Sequence, residues 1–247
     1  MKKFAFAVAL IFMCLSLSLA QQNSKIDKKQ RIVKYLNEME LAGFSGSVFV
    51  ELSDGNIISH GYGYKNVALK ERNTTETVFD IGSLTKQFTA AAILKLEMMG
   101  KLSTADKITK YFNGVPSDKS SITIHDLLRH QSGLTGEIGE DYEPISDEEF
   151  LEKVMHSPLQ FKAGTDFSYS NIGYSLLAII IEKVSGQHYE QFLYDNLWKP
   201  AGMESTGYSC PAFSTERLAI GYTKNNTSWG RPTEKKSNGS VPYRHLL

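Results

Sequence analysis

The stretch FDIGSLTKQFTAAAILKLEMMGKL, Phe79 to Leu102, decides how the rest of the chain is read. Its second half consists of good helix formers and stops near Gly100, so the spacing predicts a helix that begins around Ser83. Lys86 follows Ser83 by three residues. A serine hydroxyl is a poor nucleophile at neutral pH and needs a neighbouring base. At a helix start it lies among unpaired backbone N–H groups and the positive end of the dipole, which suit an oxyanion forming beside it. Lys86, about one turn on, shares a face with Ser83. A lysine acts as a base once burial or another cation lowers its pKa. Gly82 leaves room for a substrate to approach. Taken alone, Ser-x-x-Lys is a weak signal, because serine is also a favoured N-cap.

A second stretch strengthens it. GTDFSYSNIGYSLL, Gly164 to Leu177, places Tyr169 and Asn171 at the mouth of an apolar helix. A phenol there can pass protons to and from a serine, and an amide can hydrogen-bond a substrate carbonyl. The plainer reading makes Tyr169 a core aromatic and Asn171 the helix N-cap, and Asn171 can do both.

Around these two stretches the chain alternates sheet and helix signals. Residues 24–42 have helical spacing and end at Gly43. GSVFVEL and IISHGYGYKNV, separated by Ser53-Asp54-Gly55-Asn56, predict a hairpin that starts a sheet. STADKITKYF and ITIHDLLRH predict shorter helices. SDEEFLEKVM opens with a capping box, Ser146 to Glu149. NIGYSLLAIIIEKVSG is apolar nearly all round and predicts a buried helix closed by Gly186, and YEQFLYDNLWKPAGM one halted by Pro200. Thr223 to Ser240 is polar and reads as loop. His130 and His125 suggest a Ser-His-Asp alternative, but His130 falls where a helix passes into a turn, and a structural hydrogen bond is its expected role.

The whole is one α/β domain, 21–247, behind a leader. Of 247 residues 41% are hydrophobic, enough for a sizeable core, and the formal net charge is zero. That balance gives no basic face for nucleic acid. Lys2 and Lys3, the apolar run Phe4 to Leu19 and the small residues up to Ala20 form a signal peptide, residues 1–20, so the protein is expected in the periplasm or secreted. No later segment is apolar for long enough to span a bilayer. Removing the leader leaves Cys210 as the single cysteine, an inert thiol by this reading, so no intrachain disulfide supports the fold. Asn73, Asn226 and Asn238 head glycosylation sequons. No metal-ligand cluster or phosphate loop is apparent, and neither metal nor cofactor is expected.

Several ordered segments together resemble the serine β-lactamase and penicillin-binding protein superfamily, in the branch of class C β-lactamases, D-alanyl-D-alanine carboxypeptidases and related esterases. FSGSVFVELSDGNIISHGYGYKN resembles the opening hairpin, and FDIGSLTKQFTAAAILKLEMMGKLSTAD the nucleophile helix. ITIHDLLRHQSGL is similar to a stretch that usually ends His-Thr-Ser-Gly-Leu, with Gln131 in the threonine place. FKAGTDFSYSNIGYSLLAIIIEKVSG resembles the second catalytic segment, and LWKPAGMESTGY the piece after it. The resemblance implies a β-lactamase/transpeptidase-like fold, an antiparallel sheet flanked by helices with a helical region inserted. It makes Ser83 the acylated nucleophile, Lys86 its activating partner, Tyr169 the acid/base and Asn171 a substrate contact.

The implied function is an exported hydrolase that acts through a serine acyl-enzyme on a β-lactam, a D-alanyl peptide or an ester. The alternative is a non-catalytic protein that binds peptidoglycan fragments. One departure bears on both. The family's third motif, Lys-Thr-Gly or His-x-Gly on a late strand, has no convincing match, and KKSNGS with Lys236 and Gly239 has the wrong spacing. The C-terminal sheet strands are therefore expected to be missing, with a cost to both activity and stability.

Overall fold

The computed structural model describes residues 28–138, 145–207, 214–222 and 228–230. The leader, Cys210, the sequons at Asn226 and Asn238, and Lys236 and Gly239 lie outside them. No helix among the described residues is long and apolar enough to cross a membrane. The chain divides into two units, one running up to Val78 and including Arg217–Ile220, the other formed by Phe79–Glu216 and the residues from Gly221 on.

In the first unit, helix α1 (28–41) ends where Gly43 turns left-handed at φ 101°. Phe44 N–H then reaches back to Met39 O and Gly43 N–H to Glu40 O, the paired bonds of a Schellman cap. Strands β1 (Gly46–Glu51) and β2 (Ile57–Tyr62) pair antiparallel around the expected Asp54-Gly55 turn. The run expected to continue through Val67 breaks at Gly63, φ 65°, and β3 (Tyr64–Asn66) pairs instead with β4 (Glu71–Arg72). Glu40 holds that corner. Its Oε1 accepts from Gly63 N–H at 2.7 Å and meets Arg72 at 2.6 Å, and both interactions hold its carboxyl below the usual range. Asn73 sits inside the corner rather than on the surface where a sequon would be modified. It is 4% exposed, and its amide donates to Tyr62 O at 2.7 Å and Ser45 Oγ at 2.9 Å.

The second unit is built round α2 (Lys86–Met98) and α5 (Asn171–Ser185). Every residue of α5 from Asn171 to Ile181 is buried, as its all-round apolar composition requires, and Gly186 closes it at φ 71°. It packs against α2, α3 (Ile124–Leu128) and α6 (Tyr189–Leu193). From α2 the inward side chains are Lys86, Thr89, Ala92, Ile93 and Leu96, a helical stripe. Each fully buried Leu or Ile contributes about 1.5–3 kcal/mol relative to exposure. A π turn, Tyr194–Trp198, continues α6.

Local chemistry revises four of the expected elements. The segment 103–112 forms only a short 3₁₀ turn, Ile108–Lys110. Asp106 takes up Ser103 N–H, Lys110 and Tyr111 OH, and Ile108 N–H turns out to Ile122 O. In α4 (Asp147–His156) Ser146 caps Glu149 N–H, but the Glu149 carboxylate turns to Lys153; the reciprocal capping box lies at Thr123–Asp126, ahead of α3. Ser170 rather than Asn171 is the N-cap of α5, its Oγ accepting from Gly173 N–H at 3.2 Å. Finally, β6 (Ser228–Gly230) lies within the predicted loop and pairs with β5 (Gly221–Tyr222), a main-chain pairing that polar composition conceals.

Candidate active site

Ser83 does not open the α-helix itself. It lies in a 3₁₀ turn, Gly82–Thr85, and α2 begins at Lys86. In a 3₁₀ turn side chains at i and i+3 eclipse, which aligns the serine hydroxyl with the lysine above it. Gly82 enters the turn at φ 49°, its N–H donating to Asp80 Oδ1 at 2.8 Å, and Thr85 Oγ1 closes it on Gly82 O at 2.8 Å. Ser83 is exposed, whereas Lys86 is only 7% exposed.

The ammonium of Lys86 organises the site. Nζ donates to Ser83 Oγ at 3.2 Å and to Asn171 Oδ1 at 2.8 Å, a partner 85 residues away in sequence. It also faces the rings of Tyr169, 4.9 Å to the centroid, and Tyr174, 5.6 Å. All four residues singled out in the sequence, Ser83, Lys86, Tyr169 and Asn171, thus meet around one nitrogen. Tyr169 is 46% exposed, so it is not a core aromatic. Asn171 is the first residue of α5 and 7% exposed.

A backbone ladder places Tyr169. Segment 130–133 accepts three N–H groups from the irregular, turn-containing run before α5: Gln160 on Gly133 O, Gly164 on Gln131 O and Ser168 on His130 O, at 2.8, 2.8 and 3.0 Å. Gly133 is required there, because its φ is 76° and a Cβ would run into Phe161 O. His130 makes the structural hydrogen bond expected of it, Nδ1 accepting from Ser170 N–H at 3.1 Å. Burial, and then the Lys86 charge, hold its imidazole below the ordinary histidine range. Burial likewise raises the phenol of Tyr174, whose hydroxyl donates to Leu128 O.

Glu137 was not visible in the sequence as a site residue. Its Oε1 accepts from Asn171 Nδ2 at 3.2 Å. The carboxylate and the ammonium together dictate how the amide faces: turned over, it would set NH₂ against Lys86 and its oxygen against Glu137. If Ser83 is acylated, as the resemblance implies, Glu137→Ala is expected to slow that step by roughly tenfold, the equivalent of about 1.4 kcal/mol, whereas Glu137→Gln, which keeps an acceptor, recovers most of the rate. In an Asn171→Ala background the Glu137→Ala step should cost nothing further. A full loss on top of Asn171→Ala in stopped-flow acylation would mean that Glu137 does not act through the amide.

The arrangement brings a serine hydroxyl, a lysine amine, a phenol and an amide together at the start of α2 and the approach to α5. Residues 33–243 match the Beta-lactamase family, and the chain belongs to it. Among proteins it is similar to, penicillin-binding protein 4* of Bacillus subtilis (strain 168) is 32% identical over 213 residues, covering 81% of this chain and 47% of that protein. A solved penicillin-binding protein from Bacillus halodurans superposes with a TM-score of 0.68 at 28% identity, covering 83% of this chain and 65% of the other. A class C β-lactamase superposes with a TM-score of 0.76 at 24% identity, covering 88% and 60%, a likeness of fold. The fold is thus the β-lactamase/transpeptidase one expected from the sequence. The chain spans about half the length of the curated relatives it matches.

Proposed function

We propose that the protein is an exported serine hydrolase that works through an acyl-enzyme on Ser83, with D-alanyl peptides, β-lactams or simple esters as substrates. The observation that carries this reading is the single nitrogen, Lys86 Nζ, hydrogen-bonded to both Ser83 Oγ and Asn171 Oδ1. In the first step Oγ bonds to the substrate carbonyl carbon while its proton passes to Lys86, which must be neutral at that moment. As the tetrahedral intermediate collapses, the bond to the leaving nitrogen or oxygen breaks, and that atom takes a proton relayed through Lys86 and Tyr169. Water then attacks the ester, giving a proton to the same pair; as the second tetrahedral intermediate collapses the C–Oγ bond breaks, Oγ takes that proton back, and the acid and free Ser83 are released. Asn171, its oxygen held by Lys86 and its NH₂ by Glu137, borders the space where an acyl side chain would lie. Two of the similar proteins are named for binding penicillin, which supports a β-lactam or a chemically similar amide as substrate.

The test is intact-protein mass spectrometry on exported material exposed in turn to a penicillin, a D-alanyl-D-alanine peptide and a p-nitrophenyl ester. The expected result is a mature chain starting at Gln21 that gains the mass of one acyl group from at least one of the three. No adduct and no turnover with any of them would refute the hydrolase reading, and a chain retaining Met1 in the soluble cytosolic fraction would refute export.

A further inference from the structure

We propose that His130 is the positioning residue for Tyr169, acting through a neutral imidazole whose Nδ1 must stay free of a proton, so that acid disengages the site. The inference rests on the functional reading above. Three contacts from this one residue hold the tyrosine and its two neighbours, Ser168 and Ser170. His130 O accepts Ser168 N–H at 3.0 Å, and His130 Nδ1 accepts Ser170 N–H at 3.1 Å, so the residues on either side of Tyr169 are both tied down through their backbone N–H groups. The imidazole itself lies against the phenol ring, 4.5 Å between centroids at 31°. Tyr174 backs it at 5.1 Å and Phe167 meets it edge-on at 5.9 Å.

The backbone also marks the residue out. His130 has φ 56°, one of two non-glycine residues with positive φ among those described. A left-handed residue costs on the order of 1 kcal/mol or more and persists where its surroundings over-determine it. Here the left-handed step turns the chain out of α3, so that carbonyl and ring of the same residue face the same short segment.

Because Nδ1 accepts, the neutral ring carries its proton on Nε2. A proton on Nδ1 would set a donor against the Ser170 N–H and place a second cation beside Lys86. The titratable groups facing the imidazole are Lys86 from α2, Tyr169 from the preceding segment and Tyr174 from α5; among the described residues no carboxylate appears there to welcome the charge. Burial, and then the Lys86 charge, hold its folded-state pKa below the ordinary histidine value. The unfolded chain therefore binds more protons in the window between the two values. Its contribution to stability is complete above about 6.5 and is lost as pH falls towards the folded-state value.

The test is the pH profile of acylation by a chromogenic or fluorescent penicillin. Wild type should show an acid-side inflection that coincides with the titration of the His130 imidazole. His130→Asn, which keeps a side-chain acceptor and tolerates a left-handed backbone but does not titrate, should lose that inflection whatever its rate at neutral pH. His130→Phe, which keeps a ring but no acceptor, should lose roughly tenfold in kcat at unchanged KM. An inflection retained in His130→Asn, or a wild-type kcat in His130→Phe, would overturn the proposal. NMR of the wild type gives a readout free of both activity and variant folding: the Tyr169 ring resonances should shift with the same midpoint as the His130 imidazole, and resonances indifferent to that titration would also overturn it. A wild type that is never acylated would refute the hydrolase reading instead, leaving the NMR titration to decide the coupling.

Discussion

Ser83→Ala is expected to abolish covalent labelling by a fluorescent penicillin or an acyl phosphonate and to lower any turnover by on the order of 10⁶. The size follows from what the residue supplies. Without Oγ no acyl-enzyme can form, and the hydrogen bond that Lys86 makes to it at 3.2 Å has no acceptor. What would survive is catalysis by the surroundings alone, an oriented substrate and backbone donors. Because Ser83 is exposed on a 3₁₀ turn rather than packed in the core, the variant should fold like the wild type, so loss of labelling reads as loss of chemistry. Equal labelling of the variant in intact-mass spectra would place the nucleophile elsewhere.

Lys86→Ala carries the second large effect, a fall of roughly 10²–10⁴ in acylation rate. Lys86 is the common partner of Ser83 and Asn171 and faces both tyrosine rings, so its removal unties all of them at once. Groups that work as a unit lose their function together. Lys86→Ala, Tyr169→Phe and the double variant should therefore reach similar low rates in single-turnover assays. Losses that multiply across the pair would show that the phenol acts without the ammonium.

Much of this was legible in the chain because composition and periodicity carry it. The apolar run of α5 and the helix formers of α2 could only be helices, and once both are buried together Asn171 and Lys86 are brought end to end. The details that were not legible depend on single side chains competing for backbone groups. The segment around Asp106 looks helical by spacing, yet one carboxylate captures a backbone N–H, an ammonium and a phenol and holds a turn instead. Ser83 looks like a helix cap, yet Gly82 and Thr85 tighten the first turn into a 3₁₀ one. Glu137 meets Asn171 across 34 residues with no periodic pattern to announce it. His130 was readable as a structural hydrogen-bonding residue, but which backbone group it would hold was not.

The buried amide of Asn73 has a practical consequence for anyone producing this protein. Both of its hydrogens are already committed, to Tyr62 O and Ser45 Oγ, inside a corner with almost no solvent contact. The sequon it heads is read by glycosylating cells on the nascent chain, before that corner exists. A sugar joined to Nδ2 would take one of those hydrogens and force a bulky polar group into the space where β2 turns into β3. Yeast and mammalian hosts are thus poor choices for expression unless Thr75 is first replaced, which removes the recognition signal while leaving the amide to its two partners.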